Sequence, residues 1–168
     1  ATIGGAKTSK NTLFTRTELR EMLRRGNTDI GTRGEGDDPG KNNWVFSSAP
    51  EETQKKAGAV DGTLRATLAI NHVTTTGDNI DVGQVVSGQI HAAKDEPARL
   101  SYQKFPGSRR GSIYVAHEPS GGDDIFVDLL GSKSSTPIDP PDGIALDEKF
   151  SYEIRAEGNL LTVTISSA

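Results

Sequence analysis

The stretch that decides the fold is FSYEIRAEGNLLTVTIS, residues 150–166. Along its first half, apolar residues alternate with polar ones, which is the period of a β-strand with one buried face. These apolar residues are Phe150, Tyr152, Ile154 and Ala156. Residues 157–159, Glu-Gly-Asn, form a turn signal, and the alternation then resumes at Leu161, Val163 and Ile165. The stretch therefore predicts a β-hairpin.

Four further runs show a similar pattern and are separated by polar turns. They are Thr63–Val73, Gly83–His91, Ser112–Glu118 and Ile125–Leu130. In the first run the residues expected on one face are Leu64, Ala66, Leu68 and Ile70, and in the second they are Val86, Gly88 and Ile90. With 19 glycines and eight prolines in 168 residues, the pattern predicts an antiparallel all-β sandwich or barrel. Residues 1–168 are expected to form a single domain.

Charge and residue usage exclude several classes of protein. The formal net charge is −4, which argues against a general nucleic-acid surface, and any polyanion must be bound by a local cluster of bases. Cysteine is absent, so thiol chemistry and zinc–thiolate sites are excluded. The three histidines lack the spacing of a zinc site. No run approaches the ~18 apolar residues of a membrane span.

Two segments are expected to lie outside the sheets. Gly26–Asn43 is rich in glycine and charge, which predicts either a long mobile loop near a functional edge or a disordered segment. Ser48–Ala57 predicts a short surface helix, with Pro50 at its first position and two glutamates in its first turn.

The segment Leu13–Arg25 is ambiguous between helix and strand. Its apolar spacing fits a helix by a small margin, whereas a strand would place Arg16, Glu18 and Arg20 on one face. Two guanidiniums flanking a carboxylate would suit the binding of planar carboxylates. The alternative interpretation is a solvated charged face with weak ion pairs.

Histidine supplies the second group of candidate residues. A strand over Gln89-Ile90-His91 would direct Gln89 and His91 to the face opposite Ile90, where the pair could polarise a carboxylate and move a proton. A plain surface histidine is the alternative. His72 is expected in the core or at its rim, and His117 is expected to be structural.

Arg16-Thr17-Glu18-Leu19-Arg20-Glu21 and Gln89-Ile90-His91 resemble, in type and order, two of the three signature motifs of the bacterial family 7 alginate lyases. The intervening sequence is also similar, from Asn43-Trp44-Val45-Phe46 to the run 111–118, Gly-Ser-Ile-Tyr-Val-Ala-His-Glu. The resemblance extends over nearly the whole chain.

This resemblance implies a jelly roll of two curved antiparallel sheets with a concave groove for an acidic polysaccharide, with Leu13–Arg25 largely a strand. It implies that Arg16, Gln89 and His91 are catalytic, that Glu18 and Arg20 bind substrate, and that no metal or cofactor takes part. The reaction would be β-elimination on a 1,4-linked uronate polymer. Arg16 and Gln89 would stabilise charge on the carboxylate, while His91 accepts the C5 proton of guluronate or helps to neutralise mannuronate.

The family's third motif, Tyr-Phe-Lys-Ala-Gly-x-Tyr-x-Gln, contains a catalytic tyrosine. None of the three tyrosines here has that context. The resemblance therefore predicts a core segment cut at both ends, completed by an additional polypeptide segment that carries the tyrosine. It also implies secretion to the periplasm or the medium. The alternatives are a non-catalytic carbohydrate-binding module on the same scaffold and a lyase for another polyuronate, such as glucuronan.

Overall fold

The computed structural model describes residues 18–35, 38–91, 96–119 and 122–167. Within these ranges one short helix accompanies ten strands. In chain order the elements are β1 (Trp44–Val45), α1 (Glu51–Lys56), β2 (Ala59–Val60), β3 (Gly62–Ala69), β4 (Gln84–Ile90), β5 (Ala98–Gln103), β6 (Arg110–His117), β7 (Ile125–Leu130), β8 (Ile144–Ala145), β9 (Lys149–Glu157) and β10 (Leu160–Ser167).

The predicted hairpin is confirmed as β9 and β10, which pair along their full length from Glu157 and Leu160 outwards. Gly158 makes the turn at a φ of 63°, a left-handed conformation that glycine adopts without steric cost. On the other side of β9 lies β3, also antiparallel, so the hairpin forms a three-stranded sheet in the order β10-β9-β3. The alternating pattern therefore sets both the strands and their register.

The second sheet has the order β4-β5-β6-β7, with β8 paired to the start of β6. Its neighbouring strands are antiparallel. Three of its main strands coincide with predicted runs, whereas β5 was not predicted. The signal for β5 was present, because Ala98, Leu100 and Tyr102 alternate with more polar residues directly after Pro97. This central strand carries Arg99, a residue of the candidate site described below.

The two sheets face each other across one apolar core. The fully buried large side chains come from both sheets, for example Leu100 and Tyr102 from β5 and Phe150 and Ile154 from β9. Burying each such side chain contributes about 1.5–3 kcal/mol to stability. The predicted all-β jelly-roll sandwich of two curved antiparallel sheets is thus confirmed.

One residue of β4 departs from the predicted alternation. The register of β4 against β5 shifts between Val86, which pairs with Ser101, and Gly88, which pairs with Leu100. Ser87 is therefore the extra residue of a β-bulge, and Val86 turns to the outer face, where it is 45% exposed. The prediction that Val86 shares a face with Gly88 and Ile90 is wrong, because a strict period of two cannot anticipate a bulge.

The irregular segments agree with expectation in part. The predicted helix is confirmed, although Pro50 precedes its first turn as the N-cap and is not its first helical residue. Residues 26–43 contain no helix or strand where they are described, apart from one isolated bridge between Glu35 and Asp38. Within this loop, the side-chain amide of Asn43 donates a hydrogen bond to the backbone carbonyl oxygen of Pro39 at 2.7 Å.

Two predictions near the ends of elements are wrong. Residues 18–25 form neither strand nor helix, and Arg25 and Gly26 end them in a turn with positive φ angles of 48° and 86°. A strand requires a hydrogen-bonded neighbour, and no described strand pairs with this segment. His72 is exposed, because β3 ends at Ala69 and the buried residues that follow are Ile70 and Val73.

Over the ranges that the structure describes, no helix has the length and apolar character needed to cross a membrane.

Candidate active site

Gln89 lies near the end of β4, on the outer face of the five-stranded sheet, and His91 directly follows the strand. Their neighbours in the strand face inwards, since Gly88 contacts Tyr152 of the opposite sheet and Ile90 packs against the core. Gln89 is therefore directed away from the core, level with Arg99 on the adjacent strand. The predicted pairing of the two side chains on one face agrees with this backbone.

His91 is linked to Arg99 through Glu96. The Nε2 atom of His91 is 3.5 Å from Oε1 of Glu96, and the other carboxylate oxygen of Glu96 is 3.9 Å from Nη1 of Arg99. Arg99 also forms an ion pair and a hydrogen bond with Asp124, which lies just before β7. We call these four residues the charged row: imidazole, carboxylate, guanidinium and carboxylate alternate along it. Gln89 lies beside its centre.

A second glutamate, Glu118, is hydrogen-bonded to Glu96 of the charged row. The backbone N–H of Glu96 donates to a carboxylate oxygen of Glu118 at 3.2 Å. Burial raises the pKa of Glu96, a hydrogen bond between its carboxyl and that of Glu118 raises it further, and the charges of His91 and Arg99 act in the opposite direction. The pKa of Glu118 is lowered, chiefly because its carboxylate accepts the Glu96 backbone N–H. The two carboxyl groups therefore differ in their affinity for a proton.

The same face continues across the sheet towards β7. Arg99 pairs with Ala116, and Ala116 pairs with Phe126, so a line of side chains crosses the strands from Gln89. With neighbouring strands ~4.8 Å apart, this line is about 14 Å long. At its far end the Lys133 ammonium lies 4.2 Å from the centre of the Phe126 ring. The face therefore carries polar side chains at one end, Gln89 and Arg99, and an aromatic ring with a nearby ammonium group at the other, Phe126 and Lys133.

The three tyrosines of the chain are all buried, which argues against any of them as the proton donor for a substrate on this face. Tyr102, Tyr114 and Tyr152 are 0%, 1% and 5% exposed. Burial raises the pKa of all three, and that of Tyr102 reaches about 12, with a smaller contribution from the charge of Glu148. Tyr102 and Tyr152 donate their hydroxyl protons to the backbone carbonyls of Ile144 and Ser87. Tyr102 and Tyr152 belong to the core between the sheets, whereas Tyr114 is buried on the same sheet face as Arg99, where its ring contacts that of Phe126.

The other predicted site residues lie on the N-terminal segment. Arg16 lies outside the described residues. Glu18 and Arg20 are both exposed, in a stretch without regular secondary structure. Their predicted roles as catalytic and substrate-binding groups stay predictions.

A different surface depression lies on the opposite side of the sandwich. It is lined by residues of the outer face of the three-stranded sheet, including Arg65, Thr67, Ser151 and Glu153. These side chains satisfy each other, since Arg65 pairs with Glu153 at 2.5 Å and the hydroxyls of Thr67 and Ser151 are 2.7 Å apart. Such mutual pairing leaves few groups to hold a ligand, so the charged row is the stronger candidate. No cluster of three or more potential metal ligands occurs among the described residues.

Sequence reasoning missed Glu96, Arg99 and Asp124 as members of the site. Arg99 could have been found if β5 had been predicted, because alternation with Leu100 places it on the same face as Gln89. Glu96 and Asp124 lie in connections, whose path over the surface leaves no periodic signal.

The comparisons with known proteins agree with one another. A sequence model of a family described as alginate lyase matches residues 1–168. An alginate lyase from Klebsiella pneumoniae is 55% identical over 174 residues, covering 98% of this chain and 55% of that protein. The chain thus spans about half the length of this curated relative.

Solved structures of alginate lyases are similar to this fold. The crystal structure of the alginate lyase from Klebsiella pneumoniae matches with a TM-score of 0.88 and 56% identity, covering 96% of this chain and 59% of that one. An exolytic PL7 alginate lyase from Zobellia galactanivorans matches with a TM-score of 0.57 and 36% identity, covering 64% and 40%. Because the family model matches residues 1–168 and the curated relative is 55% identical over 98% of this chain, the chain belongs to the alginate lyase family.

Proposed function

We propose that the protein containing this chain is an alginate lyase, which cleaves the 1,4-linked uronate polymer by β-elimination and leaves a C4=C5 double bond on the new non-reducing end. The observation that carries the proposal is the location of Gln89 and His91, close to Arg99 and Glu96 at the edge of the five-stranded sheet. The 55% identity to an alginate lyase supports the same reaction.

The chemistry requires a base near C5 of the sugar and a group that stabilises charge on the adjacent carboxylate. His91 accepts the C5 proton of guluronate or helps to neutralise the carboxylate of mannuronate. Gln89 and Arg16 donate hydrogen bonds to the carboxylate as negative charge builds up there. Glu18 and Arg20 line the groove and contact neighbouring sugars.

Binding of a polyanion to this face requires additional positive charge. The described part of the site contains Glu96, Glu118 and Asp124 but only one arginine, Arg99. Arg16 and Arg20 supply the missing positive charge when the N-terminal segment lies against the sheet. The edge of β4 offers a place for it, since β5 is the only strand that pairs with β4 among the described residues.

We propose further that an additional polypeptide segment carries the tyrosine that protonates the leaving glycosidic oxygen. The burial of Tyr102, Tyr114 and Tyr152 supports a donor from elsewhere. Apolar side chains that are well exposed support a covering segment, and they include Leu19, Ile125 and Val127. The chain's match to 55% of its relative is consistent with further sequence.

The natural setting follows from the substrate. A polysaccharide is too large to diffuse through a membrane, so we propose that the enzyme acts in the periplasm or the medium. Its partners are then alginate or a related acidic polysaccharide, without nucleic acid or membrane. Detection of the protein by antibody only inside the cytoplasm would contradict this assignment.

The proposed reaction is tested by incubating the full-length protein with alginate and following the ultraviolet absorbance of the conjugated double bond. We expect absorbance to rise with time for the full-length protein, and no rise for residues 1–168 alone. Retention of alginate on immobilised protein without any absorbance change would instead favour a carbohydrate-binding module. A rise on glucuronan but none on alginate would favour another polyuronate.

A further inference from the structure

The line of side chains that starts at Gln89 ends at an aromatic ring. Arg99 pairs with Ala116, and Ala116 pairs with Phe126, so Phe126 lies on the same sheet face as Gln89 but on another strand. Between Arg99 and Phe126 the line contains only the methyl side chain of Ala116. With neighbouring strands ~4.8 Å apart, the line is about 14 Å long. A short oligosaccharide spans such a distance.

Phe126 is exposed and yet held in place by a second ring. It is 44% exposed, whereas Tyr114, which lies on the same face of the neighbouring strand, is 1% exposed. The two rings meet edge to face, with their centroids 6.1 Å apart. Because the buried tyrosine already restrains the phenylalanine ring, little conformational entropy is lost when a ligand packs against the exposed part of that ring. Phe126 therefore offers a flat apolar surface at the end of the line.

The Lys133 ammonium supplies positive charge at the same place. It lies 4.2 Å from the centre of the Phe126 ring, and over the described ranges no carboxylate lies within ion-pair distance of it. The carboxylate of Asp128 accepts the backbone N–H of Lys133 at 2.8 Å, which fixes the main chain and leaves the ammonium to the ring. A cation–π contact at an exposed site is weaker than a charge-assisted hydrogen bond to a carboxylate. The ammonium can therefore exchange the ring for an anionic ligand.

We propose that Phe126 and Lys133 form a distal sugar-binding subsite, which binds a uronate of the polymer at the opposite end of the line from Gln89. The inference rests on the proposed lyase function and extends it to two residues outside the motifs that predicted the site. One face of a pyranose ring carries mainly C–H groups, which pack against the face of an aromatic ring. The sugar lies against Phe126, and the Lys133 ammonium moves from the ring to the carboxylate of that sugar.

The proposed subsite has a defined kinetic effect. A polyuronate carries a carboxylate on every sugar, so cations at separate points of the line, Arg99 and Lys133, bind separate sugars of one chain. The distal sugar takes no part in the bond breaking, and its contacts are the same in the ground state and in the transition state. Loss of these contacts should therefore raise KM and leave kcat unchanged.

The test compares Phe126→Ala, Phe126→Tyr and Lys133→Gln in the full-length protein with two matched controls. Leu160→Ala removes an apolar side chain that is 63% exposed in the three-stranded sheet. Lys149→Gln removes a positive charge from an exposed position at the start of β9. The measurements are kcat and KM on alginate, Tm, and the retardation of each protein in a native gel that contains alginate. Retardation reports binding without any turnover.

We expect Phe126→Ala and Lys133→Gln each to raise KM about fivefold to tenfold and to weaken retardation, as for the loss of one contact to a charged ligand. Their kcat should change by less than about twofold. Phe126→Tyr keeps the ring and should match wild type, as should both controls.

Values of KM and retardation in Phe126→Ala and Lys133→Gln equal to those of the controls would overturn the inference. So would a fall in kcat and Tm without a rise in KM, because that result would show a purely structural role. If the wild-type protein is retarded by alginate but forms no unsaturated product, the lyase proposal fails, and the retardation of the variants still decides whether the subsite exists. If alginate does not retard the wild-type protein, the subsite is excluded as well.

Discussion

The hydroxyl of Tyr152 donates a 2.8 Å hydrogen bond to the backbone carbonyl of Ser87, the extra residue of the bulge in β4. The bond joins the two sheets across the core, two residues before Gln89. Gly88 allows it, because a Cβ atom there would lie 2.6 Å from the Tyr152 hydroxyl oxygen. The hairpin that decides the fold therefore also fixes the strand that carries the candidate site.

Tyr152→Phe should lower the free energy of unfolding by about 1–3 kcal/mol, because the Ser87 carbonyl loses its partner in a buried place. Urea unfolding of wild type and variant measures the difference. The control is Ser166→Ala, an exposed position in the same sheet, which should stay within about 0.5 kcal/mol of wild type. Equal losses in the two variants would show that the hydrogen bond does not hold the bulge.

High pH should destabilise the protein through its tyrosines. The pKa of Tyr102 is raised by burial to about 12 from an ordinary value of 10.0, and those of Tyr114 and Tyr152 are raised as well. Between pH 10 and about 12 the unfolded chain has therefore released protons that the folded chain retains, so the free energy of unfolding falls as pH rises. Tyrosinate absorbance of the native protein should appear at higher pH than in urea. Coincident titration curves would contradict the burial of these rings.

Much of the fold could be predicted from sequence because alternation is a local signal. The hairpin and the strands β3, β6 and β7 follow from periods of two in their own residues. The bulge at Ser87 could not be predicted, since the Ser87 carbonyl is bonded by the hydroxyl of Tyr152, 65 residues away in the sequence. Residues 18–25 show the limit of the resemblance, because a strand forms only where another strand can pair with it.

The candidate site also contains some residues that could be predicted from the sequence and others that could not. Gln89 and His91 were found from their spacing and from the family resemblance, and the structure places them beside Arg99. The charged row depends on connections that approach β4 only in three dimensions, so Glu96 and Asp124 left no pattern in the sequence. Contacts made by loops at a sheet edge are the part that local reasoning misses.

Acid should destabilise the protein through Asp139. Its carboxylate accepts the backbone N–H groups of Arg109 and Arg110, each at 2.9 Å, and pairs with the Arg109 side chain at 3.0 Å. The pKa of Asp139 is lowered below its usual 3.8, mainly by the backbone hydrogen bond from Arg110. A carboxyl with a lowered pKa stabilises the fold above its unfolded value, and this contribution is lost as pH falls through the folded value.

Asp139→Asn should therefore lower Tm by a few degrees at pH 6 and make Tm less dependent on pH below 4, as measured by thermal unfolding. Asp29→Asn in the exposed loop is the matched control, since the described contacts of Asp29 involve its backbone N–H and not its carboxylate. A pH dependence of Asp139→Asn identical to that of wild type would exclude Asp139 as the source of acid sensitivity.

His91→Ala and Arg16→Ala should each lower kcat/KM on alginate by about a hundredfold or more in the full-length protein, because one removes the base and the other a stabiliser of developing charge. The increase in ultraviolet absorbance measures the rate. His72→Ala is the matched control, because His72 is exposed beyond the end of β3 and its replacement should leave the rate unchanged.

The two losses of activity should differ in origin. Arg16→Ala should also raise KM, because the arginine binds the carboxylate of the bound substrate, whereas His91→Ala should act mainly on kcat. Near wild-type rates in both variants would contradict the assignment of Arg16 and His91 as catalytic residues. If such variants still cleaved alginate, the reaction would have to take place on another face of the protein.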